Sequence, residues 1–167
     1  MSVVIRDAEA MRAFARDVVA PLVRPGDLLL LSGDLGAGKT TFTQGLGDAL
    51  GVRGPVASPT FIIARTHPSV VGGPSLIHVD AYRLGSLAEL DDLDLDATLE
   101  DSVTVVEWGE DKAEALADDR LLIRIDRERG GAFDPESPDG GDRVVTIIGH
   151  GARWAGAELG EAAEVAP

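Results

Sequence analysis

The chain contains no cysteine and no asparagine, only two lysines, and few aromatic side chains. Without cysteine it can form neither a disulfide nor a thiolate metal site, which fits a reducing compartment. Aromatic residues make up 4% of the chain against 44% hydrophobic residues in all, so its core must be built mainly from Leu, Val, Ile and Ala. No apolar run approaches the roughly 18 residues of a membrane span, and the first residues lack the basic-then-apolar order of a secretory signal. A cytoplasmic location with no membrane partner is expected. Positive charge is also scarce: 15 basic against 29 acidic side chains leave a net charge of −14. Polyanion binding depends on Lys and Arg displacing counterions, so this surface is a poor partner for nucleic acid. Any role in nucleic-acid chemistry would run through a basic partner protein.

What is present is an alternation of apolar segments with helical patterns. Val3–Ile5 reads as a short strand, and Asp7 as the N-cap of a helix with Met11, Phe14, Ala15, Val18, Val19 and Leu22 on one face. Pro21 and the Pro25-Gly26 pair should end that helix. Leu28–Leu31 is apolar at every position, as in a strand covered on both faces. A glycine-rich loop and a helix over 39–50 follow, closed by Gly51. Further strands are expected at 61–65, 76–80, 103–107, 121–125 and 143–148, with a turn over 68–74. Short helices are expected within 86–101 and over 111–117. Residues 1–155 should form one α/β domain of three layers with a mixed, mostly parallel sheet. Residues 126–142 read as a mobile acidic loop and 156–167 as a flexible tail.

The chemistry is concentrated in Gly33-Asp34-Leu35-Gly36-Ala37-Gly38-Lys39-Thr40, which matches G-x-x-x-x-G-K-[ST] in full. A chance match is expected in only about 3 of 1,000 chains of this composition, and here the required strand and helix flank it. In such a P-loop the glycines let successive N–H groups point at phosphate oxygens, and the following helix aims its positive end at the same place. Lys39 would reach the β- and γ-phosphates, the Thr40 hydroxyl would ligate Mg²⁺, and Thr41 would serve the α-phosphate side. With no asparagine there can be no N-K-x-D guanine reader, and Gln44, the only glutamine, lies inside the helix. ATP is therefore the expected nucleotide.

Such a site also needs a carboxylate at the end of a neighbouring strand. Two strands supply one each: Leu76-Ile77-His78-Val79-Asp80 and Val103-Thr104-Val105-Val106-Glu107. One could hold the metal while the other orients an attacking water. Ser58-Pro59-Thr60 reads as a turn that could sense the γ-phosphate. His78 alternates with apolar neighbours and reads as a satisfied sheet residue. A small-molecule kinase, or a binding protein switched by nucleotide, would share these features.

The segments 33–42, Ser58-Pro59-Thr60-Phe61, His78-Val79-Asp80-Ala81-Tyr82-Arg83-Leu84 and Val106-Glu107-Trp108 occur in this order and together resemble the bacterial TsaE (YjeE) family. The resemblance covers about residues 1–125. It implies a P-loop NTPase fold, ATP and Mg²⁺ as cofactors, and weak hydrolysis in isolation. It further implies the TsaD–TsaB heterodimer as partner, with tRNA reached only through that complex, which carries out threonylcarbamoyl transfer to adenosine. Carried across by position, Gly33, Asp34 and Gly36 through Thr41 would bind phosphates, and Thr40 and Glu107 would hold Mg²⁺. Lys39, Asp80 and Glu107 would form the catalytic set. Ser58 and Thr60 would form the switch, Trp108 would lie beside Glu107, and Asp7 and Glu9 would lie near the adenine. Gly109 stands where a proline often follows the Glu-Trp pair. The acidic stretch Ser86–Asp101, with seven acids and no base, is a candidate docking surface for a basic partner.

Overall fold

The computed structural model describes residues 1–56, 64–81, 100–107, 118–127 and 141–157. Within them lie β1 (Ser2–Ile5), α1 (Ala8–Phe14), β2 (Leu28–Ser32), α2 (Lys39–Ala49), β3 (Ala64–His67), β4 (Ser75–Asp80), β5 (Ser102–Glu107), β6 (Arg120–Arg127) and β7 (Arg143–His150). The seven strands make one sheet in the order β1-β7-β6-β2-β5-β4-β3. Its centre, β6-β2-β5-β4, is parallel, and β7, β1 and β3 join by antiparallel pairing. The sheet is therefore mixed, as expected: five of its seven strands run in one direction, while its six pairings divide three parallel and three antiparallel. The short 68–74 turn returns β4 antiparallel to β3, and at the other edge β7 runs antiparallel to both β6 and β1.

β2 is central, and its composition follows from that position. Leu29 and Leu31 point to one face and Leu28 and Leu30 to the other, and all four are buried. The first face packs against Met11, Phe14, Ala15 and Val19 from the first helical segment and Phe42 and Leu46 from α2. The opposite face gathers Leu28, Leu30, Ile77, Val79, Ala81, Val106 and Leu122. Both described helices lie on the first face. The helices expected within 86–101 and over 111–117 fall outside the described residues, and with them the third layer.

The first helical segment is not the single helix that its apolar spacing predicts. α1 starts as expected, with Asp7 Oδ1 accepting from the Ala10 N–H at 2.8 Å. After Phe14 the chain widens to a π-helical turn over Ala15–Val19, with Ala20 N–H donating to Ala15 O, then tightens to a 3₁₀ turn over Ala20–Leu22. Pro21 has no N–H to continue an α-helical ladder, so the winding changes just before it. Ala15 and Val19 remain buried, while Val18 and Leu22 are half-buried at the edge of the core. Of the stretch expected as a loop over 126–142, Asp126 and Arg127 belong instead to β6, paired with Val144 and Arg143, and 128–140 lie outside the described residues.

The end of the sheet where β2 begins is braced by charge. Arg153, just beyond β7, forks onto Asp27 with contacts of 3.0 and 2.9 Å and donates to Leu22 O at 2.7 Å. Its guanidinium also stacks 4.1 Å above the Trp154 ring. Asp27 in turn accepts from the Arg24 N–H.

Two predictions follow from the packing. A β-carbon on Gly45 of α2 would lie 2.7 Å from Arg12 Cα and collide with Arg12 O, so the two helices touch backbone to backbone. Helix propensity alone predicts that Gly45→Ala stabilises by about 0.8–1 kcal/mol. The contact predicts instead a loss of about 1–3 kcal/mol, read by urea denaturation. The second prediction concerns His67 on edge strand β3, which is buried with Nε2 lacking a partner among the described residues. Burial holds its pKa below the ordinary 6.5, against a hydrogen bond to the Arg53 backbone that raises it, with His78 and Arg65 lowering it further. The unfolded chain therefore binds the proton more readily. This contribution to stability is full above about pH 6.5 and is lost as pH falls below it. The melting temperature of His67→Leu should fall less between about pH 7.5 and 5.5 than that of the parent; equal slopes would exclude His67 as the source.

Candidate functional site

Parallel pairing brings three strand ends to one level. Leu31 of β2 pairs with Glu107 of β5, and Glu107 pairs with Asp80 of β4. The loop Gly33–Gly38 leaves β2 one residue beyond this level, at the carboxyl edge where open α/β sheets bind ligands. Close approach dictates Gly33: a β-carbon there would collide with Ile125 O of β6. Gly38, with φ of 114°, takes the left-handed conformation at the N-cap of α2 and, lacking a side chain, leaves the helix end without a side-chain cap. Orphan N–H groups at a helix start are the usual donors to an anion.

Lys39 opens α2 and folds back over the loop, its Nζ donating to Gly33 O at 2.7 Å and Asp34 O at 3.0 Å. It is 5% exposed. Burial pushes its ammonium below the usual lysine range, while Glu107, Asp80 and Asp34 pull it upward. All three carboxylates named in the sequence reading of the loop and strand ends thus act on one cation. Thr40, the next residue, contacts Glu107: its hydroxyl lies 3.4 Å from Oε1, linking positions 67 residues apart. Ala37 is fully buried, Gly36 is exposed at the loop's outer turn, and Thr41 lies half-buried in the first turn of α2.

Glu107 has a second partner that the sequence did not reveal. His78 Nε2 sits 2.8 Å from the same Oε1, with the imidazole fully buried. An ionised Glu107 requires Nε2 to carry the proton of this hydrogen bond. Nδ1 has no partner among the described residues. The reading of His78 as a satisfied sheet residue is therefore corrected: one nitrogen is orphaned and the other orients the buried carboxylate. Alternation along β4 shows that His78 faces away from its apolar neighbours, but not what the adjacent strand offers it. Arg143, the first residue of β7, was also missed. It is buried, and its Nε donates to Ala37 O of the loop at 3.2 Å.

The oxygen donors suit a hard cation. Thr40 and Glu107 present a hydroxyl and a carboxylate to one point, the kind of partial shell that Mg²⁺ accepts when waters and phosphate oxygens complete it. Among the described residues no group of three or more His, Cys, Asp and Glu side chains forms a protein-only cage. Other expected residues stand apart from this cluster. Asp7 is engaged as the cap of α1, and Glu9 is exposed and paired with Arg12 at 3.4 Å. Their helix nevertheless reaches the loop, since Met11 Cε would lie 3.4 Å from a β-carbon on Gly38. Ser58, Thr60 and Trp108 lie outside the described residues.

Comparison with known proteins places this geometry in a wider set. The family model for threonylcarbamoyl adenosine biosynthesis protein TsaE matches residues 5–132. The tRNA threonylcarbamoyladenosine biosynthesis protein TsaE of Streptomyces coelicolor is 59% identical over 150 residues, covering 89% of this chain and 97% of its own length. The protein of the same name from Bacillus subtilis is 42% identical over 120 residues, 71% of this chain and 73% of that one. Among solved structures, that of YdiB from the same genus superposes with a TM-score of 0.67 at 34% identity, covering 93% of this chain and 90% of its own.

If His78 and Glu107 act as a pair, their substitutions cannot be additive. A double-mutant cycle of His78→Leu and Glu107→Leu, followed by urea denaturation, should give a coupling of about 0.5–3 kcal/mol. Additivity within about 0.3 kcal/mol would show that the buried contact carries no energy.

Proposed function

This chain belongs to the TsaE family, and on that premise we propose that it is a magnesium-dependent P-loop ATPase of the cytoplasm that supports threonylcarbamoyl transfer to adenosine in tRNA. Its protein partner would be the TsaD–TsaB heterodimer, with TsaD performing the transfer. The observation that carries the ATPase reading is the meeting of Lys39, Thr40 and Glu107 beside a loop whose backbone is wrapped by glycines.

In this reading the loop N–H groups and the start of α2 bind the phosphates of ATP. Lys39 exchanges its two carbonyl partners for β- and γ-phosphate oxygens, an exchange of neutral acceptors for charged ones that strengthens each bond. Thr40 and Glu107 would hold Mg²⁺, which supplies charge neutralisation on the phosphates when bound. Asp80, level with Glu107 on the next strand, would orient the attacking water. His78 fixes the direction of the Glu107 carboxylate. Ser58 and Thr60 would sense the γ-phosphate, with Trp108 beside Glu107. Asp7 and Glu9 would lie toward the base, on a helix that already packs on the loop.

The acidity of the chain supports the division of labour. A net charge of −14 disfavours direct contact with a polyanion and favours a basic protein surface. The acidic stretch Ser86–Asp101 is the segment we assign to that contact.

Hydrolysis of ATP by the purified chain should be slow and should rise on adding TsaD–TsaB. Lys39→Ala should lower the stimulated rate by at least about a hundredfold, the scale for losing one preorganised donor to developing charge. A rate indifferent to Lys39 would remove the assignment of this loop. ATP binding with no response to TsaD–TsaB would remove the coupling to transfer and leave a nucleotide-binding protein with another partner.

A further inference from the structure

Arg143 lies outside the 5–132 segment that the family model matches, and none of the motifs quoted above includes it. It opens β7, where it pairs with Ile5 of β1 on one side and Arg127 of β6 on the other. The residue is 8% exposed. Its guanidinium spans two backbone carbonyls: Nε donates to Ala37 O at 3.2 Å, and Nη1 donates to Gly141 O at 2.9 Å. The first of these belongs to the glycine-rich loop and the second to the chain leading into β7.

The Ala37 carbonyl shares a peptide plane with the Gly38 N–H. In a trans peptide these two groups point in opposite directions, and the described chain contains no cis bond. A donor that fixes the carbonyl therefore fixes the N–H as well. Ala37 O is turned toward Arg143 of β7, so the Gly38 N–H is turned away from it. Gly38 has the φ of 114° that only glycine adopts readily, so this peptide has no side-chain sterics to hold its orientation. An external hydrogen bond is then what selects one orientation of the plane. The donor is charged, and it also polarises the peptide so that its N–H becomes a stronger donor on the far side.

We infer that Arg143 is a positioning residue of the phosphate site: its guanidinium pins the Ala37 carbonyl and so aims the Gly38 N–H at bound polyphosphate. This rests on the reading of the loop as a phosphate cradle. The same side chain ties the loop to Gly141, so the chain entering β7 and the phosphate site share one donor. A purely structural brace would lower the stability of the ligand-free protein and leave the affinity of whatever folds unchanged. A positioning residue lowers affinity for the phosphate chain in protein that is folded.

The test uses the full chain with ADP and inorganic tripolyphosphate as probes, the second having no base or sugar to contact other residues. Arg143→Met keeps the length of the stem and removes both donors. Its affinity for both probes should fall about ten- to a hundredfold, the equivalent of one charge-assisted hydrogen bond. By NMR, the Gly38 amide resonance should shift on ADP addition in the parent and shift much less in Arg143→Met. Parent-like affinity and an unchanged Gly38 shift in a folded variant would overturn the inference. Should Arg143→Met not fold, Arg143→Lys decides, because one ammonium cannot span both carbonyls as the fork does: weakened binding supports the role and parent affinity overturns it. The failure of the underlying reading looks different. A parent that binds neither probe, or binds them equally after Lys39→Ala, would remove the phosphate site itself. Lys39-dependent binding that ignores Arg143 would remove only this inference.

Discussion

Everything at the site depends on the register of three parallel strands. Leu31, Glu107 and Asp80 stand side by side because β2, β5 and β4 pair without slippage. A slip of one residue would invert each side chain to the other face of the sheet. Glu107 would then leave Thr40 and His78, and the loop would emerge at the wrong level. Register here is enforced from both faces: Leu29 and Leu31 belong to one apolar cluster and Leu28 and Leu30 to the other. A strand with only one buried face would be held by half as many contacts. The four consecutive leucines are thus part of the functional geometry, although none of them carries chemistry.

That register forces charge into a dry place, and the side chains solve the resulting problem jointly. Lys39, His78 and Glu107 are all nearly or fully buried. Taken singly, a buried ammonium or carboxylate would be expelled or neutralised, since burying an unpaired charge costs several kcal/mol. Together they form a short chain: the Glu107 carboxylate receives His78 and Thr40, while the Lys39 ammonium holds the Gly33 and Asp34 carbonyls and feels Glu107, Asp80 and Asp34. Burial lowers the lysine's proton affinity and the acids offset part of that loss. The loop is consequently shaped around its own lysine, whose ammonium is held by two neutral acceptors.

Much of this could be read from the residues, and the limits have physical causes. The loop, its strand and its helix were legible because glycine spacing, an all-apolar strand and the lysine occur within a dozen positions. Asp7 was legible as a cap because capping is a local event over three residues. His78 was misread because its partner lies 29 residues away on another strand, and alternation reports only which face a residue occupies. Arg143 carried no local signal at all, since its role consists of a contact with a carbonyl 106 positions earlier. The even division between parallel and antiparallel pairings depended on how β1 and β7 return to the sheet, which strand patterns do not encode. The π-helical turn before Pro21 illustrates the same point at short range. Apolar spacing specified the buried face, but not the winding that the missing N–H imposes.

The charged groups also divide the sheet into two ends with different tasks. At the end where β2 begins, Arg153 grips Asp27 and Leu22 and stacks on Trp154, tying the first helical segment, β2 and the chain after β7 into one knot. Every partner of Arg153 in that knot is either an opposite charge, a carbonyl or a ring. At the other end, Lys39 and Arg143 hold backbone carbonyls of the loop, bonds that a bound anion can either replace or reinforce. A strand fixed firmly at its start can present its far end at a constant height without that end being rigidly bonded. The knot at Asp27 therefore fixes β2 at its start, while at the far end the loop after Ser32 is held through carbonyls bonded by Lys39 and Arg143.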